Sequence, residues 1–165
     1  ASTSVKSAGN HLDKAIQDYV KKTHGMAIGE KTAEDIKIHI GSALPLEEDL
    51  VMEVRGREMV SGLPQTIELT TSDIVKSYTK ELREMIGAIK YVLQETPPEL
   101  AADIIDYGVI LTGGSSQLRN FPELVLRRTG VKARIAEHAP LCVARGTGIV
   151  LSHLDAYKKS ITTKR

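Results

Sequence analysis

Residues 108–120 read GVILTGGSSQLRN. An apolar run, Val109-Ile110-Leu111, meets Thr112-Gly113-Gly114-Ser115-Ser116, and an apolar-periodic stretch follows. Glycine costs backbone entropy, so it is used where φ is positive or where something must approach the main chain closely. A helix start adds bare N–H groups and a partial positive charge at the same spot. The segment therefore predicts a buried strand over 107–112, a glycine turn, and a helix from Ser115 to Arg128 with Gly130 at its C-terminal side. Such a turn suits a phosphate or a ribose, and it equally suits a plain tight connection.

Downstream, residues 131–136 (VKARIA) alternate as a strand, and a last helix is expected from Pro140 to about Tyr157. The tail KKSITTKR is basic and polar and reads as frayed. The order βαβα implies parallel strands joined by crossovers.

Upstream, residues 2–7 (STSVKS) read as a short strand. Asn10 reads as a helix cap, with Asp13 completing a capping box. Leu12, Ala15, Ile16, Tyr19 and Val20 share one helical face, so 11–23 is an amphipathic helix ended by Gly25. A second helix has Thr32 as its cap, Ala33, Ile36, Ile40 and Ala43 on one face, and Gly41 and Pro45 as its stop. Residues 49–60 alternate loosely, and Arg55-Gly56-Arg57 suggests a tight turn or bulge in a strand. Residues 66–70 alternate as another strand. Thr70 or Thr71 caps the longest helix, whose stripe is Ile74, Tyr78, Leu82, Met85, Ile89 and Val92. Pro97-Pro98 stops it, and Glu99 to Ile105 makes a helical turn. Residues 30–95 thus read as a small α/β unit inserted between a first strand–helix unit and the closing βαβα.

The 165 residues suffice for one domain or two small subdomains. Apolar residues make up 41% and charged residues 26%, an ordinary globular balance, and a net charge of +1 announces no nucleic-acid partner. A single cysteine, Cys142, excludes an internal disulfide framework and suits a reducing compartment. No apolar run approaches the ~18 residues of a membrane span. The chain opens on ASTSVKSAGN, without an initiator methionine, as though cut from something longer.

His11, His24, His39, His138 and His153 show no metal-ligand spacing, and one cysteine supplies no thiolate cluster. Ser115 and Ser116 do not stand in G-x-S-x-G, so helix capping is their expected role. No P-loop motif is present. Gly146 and Gly148 lie inside a helix and suggest close packing. Glu34 and Lys37, three residues apart on one helix face, make either an exposed ion pair or a nucleoside-holding pair. In the second reading the carboxylate accepts from ribose hydroxyls and the cation reaches over the base.

AGNHLDKAI, IGEKTAEDIKIHIGSA, EVRGREMVSGLPQTIELTTSDI, TPPELAADIIDYGVILTGG and GVKARIAEHAPLCVARGTG together resemble the bacterial actin homologues of the MreB type, from about residue 5 to about residue 157. The resemblance implies an actin-like ATPase fold, of which this α/β chain is the second domain only. Residues 1–29 and 96–157 would form part of an RNase-H-like inner subdomain, 30–95 an inserted outer subdomain, and 158–165 a tail. It also implies adenosine contacts from Gly113 and Gly114, with Ser115 and Ser116 opening the next helix into the cleft, and from Glu34 and Lys37, so that pieces 79 positions apart close on one ligand.

Four positions depart from the family pattern: Ser115 where a third glycine is usual, as heat-shock ATPase chaperones tolerate; Ala8 where a glycine before Gly9 is common; and His138-Ala139 for an acid and a proline. The resemblance places the phosphate hairpins, with the aspartates that manage Mg²⁺ and water, before residue 1. The intact protein is then expected to use ATP or ADP with Mg²⁺, and this portion alone to be inactive as an ATPase. Implied partners are further copies in a filament, a RodZ-like membrane adaptor on the inner subdomain, and the cell-wall synthesis machinery. The implied location is cytoplasmic and membrane-associated. A small-molecule kinase of the same superfamily is the alternative, and a domain serving only as an interaction surface is a third reading.

Overall fold

The computed structural model describes residues 1–161, with side chains to Tyr157. The tail expected at 158–165 lies beyond the described side chains and, past Ile161, outside the described residues altogether.

Helix α1 (Gly9–His24) buries Leu12, Ile16 and Val20, and α2 (Glu30–Ile40) buries Ala33, Ile36 and Ile40. These are the stripes that a 3.6-residue period predicts, and the two helices pack against one another. Between them β1 (Met26–Ala27) joins β2 (Val51–Glu58) and β3 (Pro64–Thr70) in an antiparallel sheet of order β1-β2-β3. Val54 and Leu69 point from that sheet into the core shared with both helices. The pairing of β2 with β3 runs unbroken from Val51↔Thr70 to Arg57↔Pro64, so the bulge or turn expected at Arg55-Gly56-Arg57 is absent. Gly56 is there for another reason. A Cβ on it would stand 2.5 Å from the Ala27 carbonyl oxygen and 2.9 Å from Met26 Cγ.

The long helix is two helices, α3 (Thr71–Ser77) and α4 (Thr79–Gln94), broken at Tyr78. Tyr78 is fully buried; its hydroxyl donates to the Ser42 carbonyl and accepts from the Ser42 N–H, both at 2.9 Å. Thr70 caps α3 in a reciprocal box with Asp73, as expected of a threonine there. Helix α5 (Pro98–Tyr107) leads into β4 (Val109–Leu111), which pairs in parallel with β5 (Ala133–Ile135).

Several expectations fail for identifiable reasons. Residues 2–7 form no strand; they have no ladder partner and are mostly exposed. Asn10 does not cap α1, whose N-cap is Ala8, and Asp13 turns to Lys37 instead. Thr32 likewise lies inside α2, whose N-cap is Gly29. The strand expected to be buried at 107–112 is shorter and half open, with Ile110 exposed, because β5 is its one ladder neighbour among the described residues and α5 buries no residue. The helix expected from Ser115 is a 3₁₀ turn, Gly114–Gln117, followed by α6 (Phe121–Thr129). Pro122 fits only a first helical turn, so a continuous helix cannot run through it. Neither serine caps an α-helix, and the Ser116 hydroxyl donates to the Gly113 carbonyl at 2.7 Å. The last helix is divided as well, into a 3₁₀ turn at Ala139–Leu141, α7 (Cys142–Ser152) and α8 (Leu154–Ile161). Gly146 and Gly148 meet no neighbour within 4 Å of where a Cβ would stand, so no described element packs closely on them.

Candidate functional site

Three elements converge on one hollow of about 530 Å³: the start of α1, the exposed side of α2, and the 3₁₀ turn after β4. Gly9, Asn10, Glu34, Lys37, Ile38, Gly114, Ser115 and Arg119 line it. Of the residues singled out in the sequence, Glu34, Lys37, Gly114 and Ser115 are therefore brought together. Gly113 and Ser116 stand behind them. Gly113 has φ 85°, a backbone that favours glycine, and its N–H donates to the Ala139 carbonyl at 2.8 Å. Ser116 is buried with its hydroxyl turned back on Gly113. Ser115 has ordinary negative φ, which explains why a side chain is accommodated where the family pattern has a third glycine.

The two polar side chains on α2 do not pair with each other. Glu34 sits 3.4 Å from Lys31, which also reaches Asp35 at 3.1 Å. Hydrogen bonding to Asp35 first, and then to Glu34, raises the Lys31 ammonium above its ordinary pKa. Lys37 instead crosses to α1, where Asp13 holds it at 2.8 Å and the Gly9 carbonyl accepts at 3.4 Å. Both side chains of the Lys37–Asp13 pair are largely shielded, at 16% and 13% exposure. An ammonium has three donors, so the pair and the carbonyl leave one N–H for a ligand.

Sequence reasoning missed Asp13 as the partner of Lys37, and it missed the start of α1 as a wall. Ala8 supplies no capping side chain, so the first amides of this 16-residue helix are left for solvent or a ligand at Gly9 and Asn10. The signal was present in Ala8-Gly9-Asn10, a helix start without a serine, threonine or aspartate at the cap itself. A Cβ on Gly9 would stand 3.1 Å from Ser115 Oγ and 3.6 Å from Lys37 Nζ, so these three elements meet at van der Waals distance.

Known proteins resemble this chain in sequence and in fold. Residues 1–159 match the family described as MreB/Mbl protein. The cell shape-determining protein Mbl of Bacillus cereus is 44% identical over 158 residues, 96% of this chain and 47% of that protein. MreB5 of Spiroplasma citri, solved bound to ADP, superposes with a TM-score of 0.86 at 32% identity, over 94% of this chain and 47% of its own. A chain of the MamK double helical filament shares the fold with a TM-score of 0.68 at 19% identity, over 87% of this chain and 46% of its own. The chain thus spans about half the length of the relatives it matches. Its mixed α/β architecture is that of about half of an actin-like ATPase, and the chain belongs to the MreB/Mbl family.

Proposed function

We propose that this chain is the nucleotide-facing second domain of a filament-forming bacterial actin that organises cell-wall synthesis and rod shape. One observation carries the reading. Glu34 and Lys37 from α2 and Gly114 and Ser115 from the glycine turn line a single hollow, although they are far apart in sequence. Its donor set fits a nucleoside. Glu34 offers a half-exposed carboxylate to ribose hydroxyls, Lys37 one remaining N–H, and Gly9 and Asn10 the positive end of a helix without a side-chain cap. ADP, as in the Spiroplasma MreB5 structure, and ATP are the ligands proposed. The described residues hold no group of three or more His, Cys, Asp or Glu side chains placed to take a metal.

In this reading residues 1–29 and 96–157 belong to the inner subdomain, 30–95 to the outer one and 158–165 to a tail. Gly113 and Ser116 shape the turn, and hydrolysis belongs to the intact protein, not to this portion alone. Self-association into filaments is proposed by analogy of fold with the MamK filament; head-to-tail contacts of this kind are heterologous and need not close. A RodZ-like adaptor, the cell-wall machinery and a cytoplasmic, membrane-associated location complete the proposal. No described helix is long and apolar enough to cross a membrane. The kinase alternative is not favoured, since the curated Mbl relative is named for cell shape.

The test is ADP titration of the full-length protein. Loss of a charge-assisted hydrogen bond is worth about 1.5–3 kcal/mol, so Glu34→Gln is expected to weaken ADP by roughly 10- to 100-fold. Unchanged affinity in both Glu34→Gln and Lys37→Met proteins would overturn the assignment.

A further inference from the structure

A second concavity, about 590 Å³, lies between α4, α6 and the loop after α2, and the nucleotide reading makes no use of it. Its floor is apolar: Val75, Leu82, Ile86 and Leu124, with Leu44 and Pro45 at one end. Its rim is cationic: Arg83 and Lys90 on α4, and Arg128 on α6. No acidic side chain lines it, and none of the three cations forms an ion pair among the described residues.

The spacing along α4 restricts what can sit there. Arg83 and Lys90 are two turns apart on one face, about 10 Å along the axis at roughly 1.5 Å per residue. Two anionic groups held at the same two-turn separation match both cations, one to each. Between them stands Gly87, also lining the concavity. Glycine in a helix interior is unfavourable, and here no heavy atom lies within 4 Å of the place its Cβ would take. The face therefore reads cation, gap, cation above an apolar floor.

We propose that this groove docks a helical segment of a partner protein, one carrying two acidic side chains seven residues apart with apolar side chains between them. The matching helix repeats the same two-turn distance, so its acids reach Arg83 and Lys90 together while its apolar residues enter over Gly87 onto Leu82 and Ile86. Arg128 on the opposite wall adds a third contact for acidic flanks.

The experiment uses the full chain and a labelled synthetic helical peptide with Glu at positions i and i+7 and Leu at i+3 and i+4, read by fluorescence anisotropy. The same peptide with Lys in place of Glu is the control. Saturable binding of the acidic peptide, weakened by added salt, is expected. The Arg83→Glu/Lys90→Glu protein should bind it about 10-fold or more weakly and should take the lysine peptide instead. Gly87→Leu should block the acidic peptide while circular dichroism stays unchanged, which separates occlusion from unfolding. Three results overturn the proposal: no saturable binding up to about 1 mM, the weak end of specific association; equal binding of the two peptides; or indifference to all three substitutions. Co-sedimentation with phosphatidylglycerol vesicles that is lost in Arg83→Glu/Lys90→Glu, without peptide selectivity, also overturns it in favour of a lipid surface.

Discussion

Lys37 on α2 is held by Asp13 on α1 at 2.8 Å, and not by Glu34, one helical turn away on its own helix. The cation is thereby tied to the start of α1, and the two helices that wall the hollow are fastened at the hollow itself. Breaking a shielded pair strands the remaining charge, which costs more than losing an exposed one. Because the pair keeps some exposure, Asp13→Ala is expected to destabilise the chain by about 1–3 kcal/mol, the cost of a buried polar group left without its partner. Lys37→Ala should cost a similar amount, and the double substitution less than the sum, as a denaturant-unfolding cycle will show.

Tyr78 and Ser42 form a second long-range tie. Burial pushes the Tyr78 hydroxyl well above its ordinary pKa, and the group remains neutral while serving both backbone atoms of Ser42. Tyr78→Phe keeps the ring but leaves a buried N–H and carbonyl without this partner. A loss of about 1–3 kcal/mol is expected, read from the urea midpoint at unchanged slope.

Gly56→Ala tests the close approach of β1 to β2. The added methyl would meet the Ala27 carbonyl oxygen, a backbone atom that moves only if the strand moves. Overpacking of this kind costs about 1–3 kcal/mol. Faster amide exchange at Ala27 and Glu58 should localise the damage to the β1–β2 pairing.

The β2–β3 hairpin carries a pH signature. The Glu58 carboxylate accepts from the Ser61 hydroxyl and from the Ser61 and Val60 N–H groups, and these bonds lower its pKa from 4.5 to about 2. A depressed folded-state pKa means that the unfolded chain binds the proton first as pH falls. The hairpin contribution is therefore complete above pH 4.5 and disappears between there and about pH 2. Glu58→Gln should remove that pH dependence, and a carboxyl titration by NMR in the wild-type chain should centre near 2. A midpoint near the ordinary value would refute this account.

Asp73 offers a contrasting case. Burial pushes its pKa up, but hydrogen bonds from the Tyr19 hydroxyl and from Thr70 outweigh that and hold it below its ordinary value. Thr70→Ala removes half of the capping box and should cost about 0.5–2 kcal/mol. The loss should be present near neutral pH and should shrink as pH falls through the carboxylate range, since the bonded form is the charged one.

The sequence alone determined the elements whose signals are local. Leu12, Ile16 and Val20, or Ala33, Ile36 and Ile40, recur at the period of a helix and are buried together. It also supplied both halves of the candidate site, Glu34 with Lys37 and Gly113 with Gly114, through the resemblance carried by their motifs. What it left open was decided by contacts between distant residues. Asp13 reads as a capping residue until α2 comes alongside and offers Lys37. Gly56 reads as a bulge until β1 lies against it, and the stripe through Tyr78 reads as one helix until Ser42 captures its hydroxyl. Periodicity reports the environment averaged along a single element; an ion-pair partner, a steric limit or a buried hydrogen bond depends on which atom of another element arrives within a few ångströms, and only the tertiary structure sets that.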